Sequence, residues 1–115
     1  MYKSFLISVF CFGCIMSSHA QNKKNIDPCQ IFGSAYIEKN RVDATYRIFI
    51  EESAAFANVI VYKQENALYA DKAGHWFFTT ARGFADFSVF IETNKAFADF
   101  VVHYTVTESF AGCNH

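Results

Sequence analysis

Phe90-Ile91-Glu92-Thr93-Asn94-Lys95-Ala96-Phe97-Ala98-Asp99 is one period of a pattern that fills most of this chain. A β-rich start is followed by polar turn residues and then by an aromatic-alanine-aspartate element. Read outward from it, the same start recurs at Tyr36, Phe49, Tyr62, Phe77 and His103, so that successive starts fall 13, 13, 15, 13 and 13 residues apart. Seven residues after each start stands a second anchor: Asp43, Phe56, Tyr69, Phe84, Phe97 and Phe110. Alanine follows every time, as Ala44, Ala57, Ala70, Ala85, Ala98 and Ala111, and then come Thr45, Asn58, Asp71, Asp86, Asp99 and Gly112. Self-similarity at a fixed period is the signature of a repeat architecture.

The unit has a physical reading. β-branched and aromatic runs such as Val59-Ile60-Val61-Tyr62 and Phe100-Val101-Val102-His103-Tyr104, bounded by polar residues, are strand signals. Both faces of these runs are largely apolar, which is expected of strands covered on both sides. Asn40, Ser53, Asn66, Asn94 and Thr107 stand where the chain should turn, because their side chains bond local backbone groups. The Phe-Ala-Asp element reads as a corner: the ring fills the core, the small alanine lets another stretch of backbone approach, and the Asp or Asn accepts from backbone N–H groups. No window carries a capped apolar stripe of helical period. The expected fold is therefore all-β, a compact solenoid-like array of six strand-corner units. The period alone equally allows a small barrel or meander.

The ends of the chain differ from its middle. Residues 1–20 have the layout of a secretory signal peptide: Lys3, an apolar run from Phe5 to Met16, and Ser18-His19-Ala20 before Gln21. The run is too short to span a bilayer, and no second long apolar stretch follows, so no transmembrane segment is expected after its removal. Residues 21–28 read as a flexible polar leader and residues 29–115 as the domain. Cleavage leaves nine basic and eleven acidic residues, with no block of like charge, which argues against a nucleic-acid partner. It also leaves Cys29 and Cys113 as the last two cysteines. In an oxidising compartment, periplasmic or extracellular, they are expected to form a disulfide that brackets the patterned sequence; two separate buried thiols are the alternative.

Residue patterns that carry chemistry are few. Residues 21–115 hold no Cys-x-x-Cys or His-x-x-His pair, no nucleophile elbow and no glycine-rich phosphate loop. No metal or cofactor is expected. Aspartates stacked by the repeat could bind calcium, but glycine-rich β-rolls that do so need more than the four glycines left here. His103 is in phase with the aromatic starts and reads as a structural substitute for a ring, while Trp76, in phase with Val89 and Val102, reads as core. The recurrence of the carboxylates with the repeat argues for a structural role. The one irregular unit carries two extra residues within Lys72-Ala73-Gly74; insertions in arrays map to loops, so Lys72, Gly74 and His75 are the candidate contact site. A longer turn required by the topology is the plainer explanation.

The Phe-Ala-Asp units, the Gly74-His75-Trp76-Phe77-Phe78 segment and the closing Glu108-Ser109-Phe110-Ala111-Gly112 resemble the septoil-knot domain family. The resemblance spans about residues 29–113. It implies a compact β-solenoid-like domain, monomeric, whose backbone forms a deep seven-crossing knot, and it brings no catalytic or binding residues to transfer. Asp43 departs from the pattern by replacing an aromatic anchor, which would loosen the core at that end. The expected function is that of an exported, non-enzymatic, kinetically stable structural or binding domain with a macromolecular partner. The alternatives are a small hydrolase using His75 or His103 with a carboxylate, and a neutralising partner of a secreted toxin.

Overall fold

The computed structural model describes residues 25–113. The expected signal peptide, residues 21–24 and His115 lie outside the described residues. The described chain alternates short strands with single turns of 3-10 helix: β1 (Gly33–Ile37), β2 (Tyr46–Ile50), β3 (Val59–Lys63), β4 (His75–Phe78), β5 (Phe87–Ile91) and β6 (Phe100–Thr105). Each strand falls on the β-rich run of one unit. The turns fall on the corners, at Arg41–Asp43, Ala54–Phe56, Ala67–Tyr69, Arg82–Phe84, Lys95–Phe97 and Glu108–Phe110. A side-chain oxygen of Ser53, Asn66 or Asn94 accepts from the backbone N–H two residues on, which starts the turn. The in-phase alanine ends it: its N–H donates to the carbonyl of the turn's first residue in all six units.

The strands close into a six-stranded parallel barrel in the order β1-β4-β3-β6-β2-β5. This corrects the solenoid-like expectation. Apart from β3 and β4, strands of successive units do not pair; β1, β2 and β3 occupy alternate places round the barrel, and β4, β5 and β6 fill the places between them. The chain thus makes two laps. Among the described strands, only β3 and β4 are neighbours both in sequence and in the barrel, and their connection carries the two extra residues. The insertion therefore marks the change of lap. Each strand pairs with one neighbour through its first half and with the other through its second half. In β1, residues 33–35 face β4 and residues 35–37 face β5; in β2, residues 46–48 face β5 and residues 48–50 face β6. Such sliding registers tilt the strands and let pieces of four to six residues close a barrel.

The core is one layer with a clear sequence rule. The residue before each repeat start, Ala35, Ile48, Val61, Trp76, Val89 or Val102, is 0% exposed. Val59, Phe87 and Phe100 add a second set. Trp76 is accommodated because its lateral neighbour on β1 is Gly33, with Ala35 next along the same strand. Its indole N–H donates to the Ile31 carbonyl at 3.2 Å, so its polar edge is satisfied.

The corner aromatics do not fill the core. Phe56, Tyr69, Phe84, Phe97 and Phe110 are exposed by 68, 62, 80, 56 and 57%. Each is the last residue of a 3-10 turn on the outside of the barrel, and after Phe56, Phe84 and Phe97 the residue three positions later, Val59, Phe87 or Phe100, turns inward instead. Asp43 in the first unit is consequently no core defect, because its counterparts are exposed as well. The alanines beside them are half-buried, and Ala70 is buried.

Candidate functional site

The corners form an outer layer that runs along the strands in the opposite direction. Arg82 meets Glu38, just beyond the end of β1, and Asp86 meets Ser34 near its beginning. Lys95 and Asp99 lie along β2 in the same way, through Glu51 and the Arg47 N–H. Arg41 and Thr45 lie along β5, through Glu92 and Ser88. This layering explains the corner carboxylates. Asp86 Oδ2 accepts from the Ser34 N–H at 2.8 Å, Asp99 Oδ2 from the Arg47 N–H at 2.8 Å, and Asn58 Oδ1 from the Val101 N–H at 2.7 Å. Each satisfies a backbone donor of the strand that the corner overlies. The role expected for the Asp and Asn is thus present, with partners three or four units away. In the last unit Gly112 replaces the side chain with its own backbone, exchanging two hydrogen bonds with Ile60 at 2.7 and 3.0 Å. Its φ of +103° suits glycine, and a Cβ on the facing Gly74, at φ +84°, would overlap the Gly112 backbone. The Asp86→Ala variant is expected to lose about 1–3 kcal/mol, because the Ser34 N–H is left without its acceptor. Asp86→Asn should restore most of it; urea midpoints at constant slope check both.

The carboxylates that recur with the repeat also form ion pairs that the sequence does not reveal. Glu38, Glu51 and Glu92 stand two residues after their repeat starts, and Arg41, Lys95 and Arg82 open corners. Arg41 is bidentate on Glu92 at 2.7 and 2.9 Å, Arg82 reaches Glu38 at 2.6 Å, and Lys95 reaches Glu51 at 2.9 Å. The same cations lie over the aromatic starts: Arg41 over Phe90 at 5.6 Å, Arg82 over Tyr36 at 5.4 Å and Lys95 over Phe49 at 5.7 Å. Glu38 and Glu92 are 5% and 3% exposed, so these cations neutralise carboxylates that would otherwise be buried alone. The spacing was visible in the sequence; the partners, 44 to 51 residues apart, were not.

The irregular unit breaks this rule. At the position of the other ion pairs, Gln64 meets Glu108, and His75 is the nearby basic group. Gln64 Nε2 lies 2.8 Å from His75 Nδ1 and 3.2 Å from Glu108 Oε2. His75 is 5% exposed, and its Nδ1 is 3.8 Å from Glu108 Oε2, beyond hydrogen-bond reach. The Gln64 amide nitrogen thus stands between His75 Nδ1 and the Glu108 carboxylate. In a Ser-His-Asp arrangement a carboxylate bonds Nδ1–H directly; here the Glu108 carboxylate does not reach the ring. Lys72, His75, Glu108 and Ser109 border an open depression that reaches Cys113. The candidate contact residues Lys72 and His75 meet there, whereas Gly74 is buried against Gly112 as part of the barrel seam. Asp71 borders the same region from the side of Tyr69 and Lys72.

Other groups are less reactive still. His103 Nδ1 donates to the Glu51 carbonyl at 3.0 Å, and its half-buried ring occupies an aromatic-start position as expected. Burial pushes the Tyr104 phenol up to about 12, which keeps it neutral. Among the described residues, no three or more His, Cys, Asp or Glu side chains gather to hold a metal ion. No described helix is long and apolar enough to cross a membrane. Cys29 and Cys113 are joined as a disulfide, which links the two ends of the patterned chain.

The fold and these contacts define a class: a small all-β domain wound in two laps into a closed parallel barrel, with an outer layer of corners ion-paired to the strands. The chain belongs to the septoil knot domain family; the family described as 7(1) septoil knot domain matches residues 28–114. No match is found among curated proteins or among solved structures.

Proposed function

We propose that this chain acts as an exported, non-enzymatic domain whose task is to persist where proteases are common and to present a fixed surface to a macromolecular partner. The observation that carries this reading is the strand order. Every strand is hydrogen-bonded on both sides, and all but one of the pairings join strands three or four units apart. Among the described residues no strand is an edge, and no sequence-local hairpin can peel away while the rest stays folded. Local opening, the route by which proteases enter, is thereby coupled to global opening. The bonded cysteine pair fits an oxidising location, which supports export and agrees with the expected signal peptide. The exposed corner rings and the depression at Lys72, His75 and Glu108 are the surfaces a partner would meet. The separation of the His75 ring from the Glu108 carboxylate weighs against an enzyme.

Limited proteolysis tests this reading. The folded, oxidised domain should resist trypsin at every Lys and Arg between residues 36 and 107, although Lys39, Lys63, Lys72, Arg82 and Lys95 are exposed. Prompt cutting at those sites under native conditions would refute persistence as the role.

A further inference from the structure

We propose that the Cys29–Cys113 bond makes the knot permanent, so that the oxidised protein stays knotted even when fully unfolded. The knot is given by the family to which the chain belongs, and the two-lap strand order supplies its path. In an open chain a knot is undone by withdrawing an end through the loops. Cys29 precedes β1 and Cys113 follows the last corner, so the ring they close contains all six strands and every connection. A closed ring cannot change its knot type unless a covalent bond breaks.

The barrel itself brings the two sulfurs together. At the start of the first lap, the Ile31 carbonyl accepts from the Gly74 N–H at 3.1 Å and from the Trp76 indole at 3.2 Å, which places the turn carrying Cys29. At the end of the second lap, Gly112 is held to Ile60 by two backbone bonds and lies against Gly74, which places Cys113. Both anchorages use the β3–β4 seam and exist only once the laps are interleaved. The thiols therefore meet after threading, and the bond records a finished topology. Once it is formed, unfolding gives a knotted ring that refolds without threading an end. This inference is independent of what the domain binds, and rapid trypsin digestion would leave it untouched.

Two rings of identical covalent structure test it, both carrying Cys11→Ser and Cys14→Ser. The first is the native oxidised protein, unfolded in guanidinium without reductant. The second is a chemically synthesised chain of the same sequence that has never folded, closed in guanidinium with oxidised glutathione. On dilution the native-derived ring should recover its native circular dichroism and its buried-Trp76 fluorescence. The synthetic ring should recover roughly ten-fold less or worse, because only bond rupture connects the two forms. A thiol-disulfide buffer, which reopens the ring and lets an end thread, should then rescue it. Equal recovery of the two rings overturns the proposal. Failure of the buffer to rescue the synthetic ring also overturns it, since the obstacle would then not be ring topology.

Discussion

Breaking the Cys29–Cys113 bond is expected to lower the stability of the domain by about 4–5 kcal/mol. The bond closes a loop spanning 84 residues, and the chain-entropy cost of that loop, removed from the unfolded state in advance, has this magnitude. Domains of this size have only about 5–15 kcal/mol in all, so about a quarter of the total or more resides in one bond. Its neighbourhood enlarges the effect. Cys113 follows Gly112, whose two bonds to Ile60 secure the last corner against β3, and the Cys113 sulfur lies 3.1 Å from the Asn58 carbonyl. Urea unfolding with and without reductant measures the difference. The midpoint should fall sharply in reductant, and the slope should rise, because an unclosed chain exposes more surface when unfolded. A midpoint unchanged by reduction would show that the barrel alone supplies the stability.

Trp76→Ala should cost about 3–5 kcal/mol, the range for removing a large buried aromatic. Trp76 is wholly buried and meets Phe87 edge-on with ring centres 5.1 Å apart and Phe78 at 6.0 Å. Its neighbours Gly33 and Ala35 have no side chains able to grow into the vacated space, so the cavity cannot collapse. The Ile31 carbonyl also loses one of its two donors. Trp76→Phe keeps much of the packing and should cost less than half as much. Phe84→Ala provides the contrast: its ring is 80% exposed, and its loss should change stability by no more than about 0.5 kcal/mol. Thermal or urea unfolding followed by far-ultraviolet circular dichroism distinguishes the three, and a large loss at Phe84 would restore the corner ring to the core.

The difference between Trp76 and Phe84 shows where reading the chain succeeded and where it failed. Both residues belong to apolar positions that recur with the repeat. A period reports which residues are equivalent and does not report which of two apolar sets faces inward. Trp76 was read correctly because it aligns with Val89 and Val102 at the middle of a strand, where one face must be buried. Phe84 was misread because an aromatic repeated five times resembles a core position. It sits instead on the last residue of a 3-10 turn, which the outer layer holds away from the barrel. The ion pairs show the same limit. Glu38 and Arg82 occupy regular positions in the repeat, yet no spacing rule indicates that a unit's carboxylate meets the corner three units on. The candidate site was legible only as an irregularity: Lys72 and His75 flank the insertion, but Gln64 and Glu108 join them solely because that corner lies over β3.

By itself the sequence determined the strands, the corners that separate them, the burial of Trp76 with Val89 and Val102, and the two cysteines that join its ends. These are local properties, fixed by side-chain shape, turn chemistry and period. Only the tertiary structure decided which strand lies beside which. Six nearly equivalent units offer many pairings of similar local energy, and closing the barrel in two interleaved laps is a global condition. The β3–β4 seam, the Gly74–Gly112 contact and the outward turn of the corner rings exist only when that condition is met.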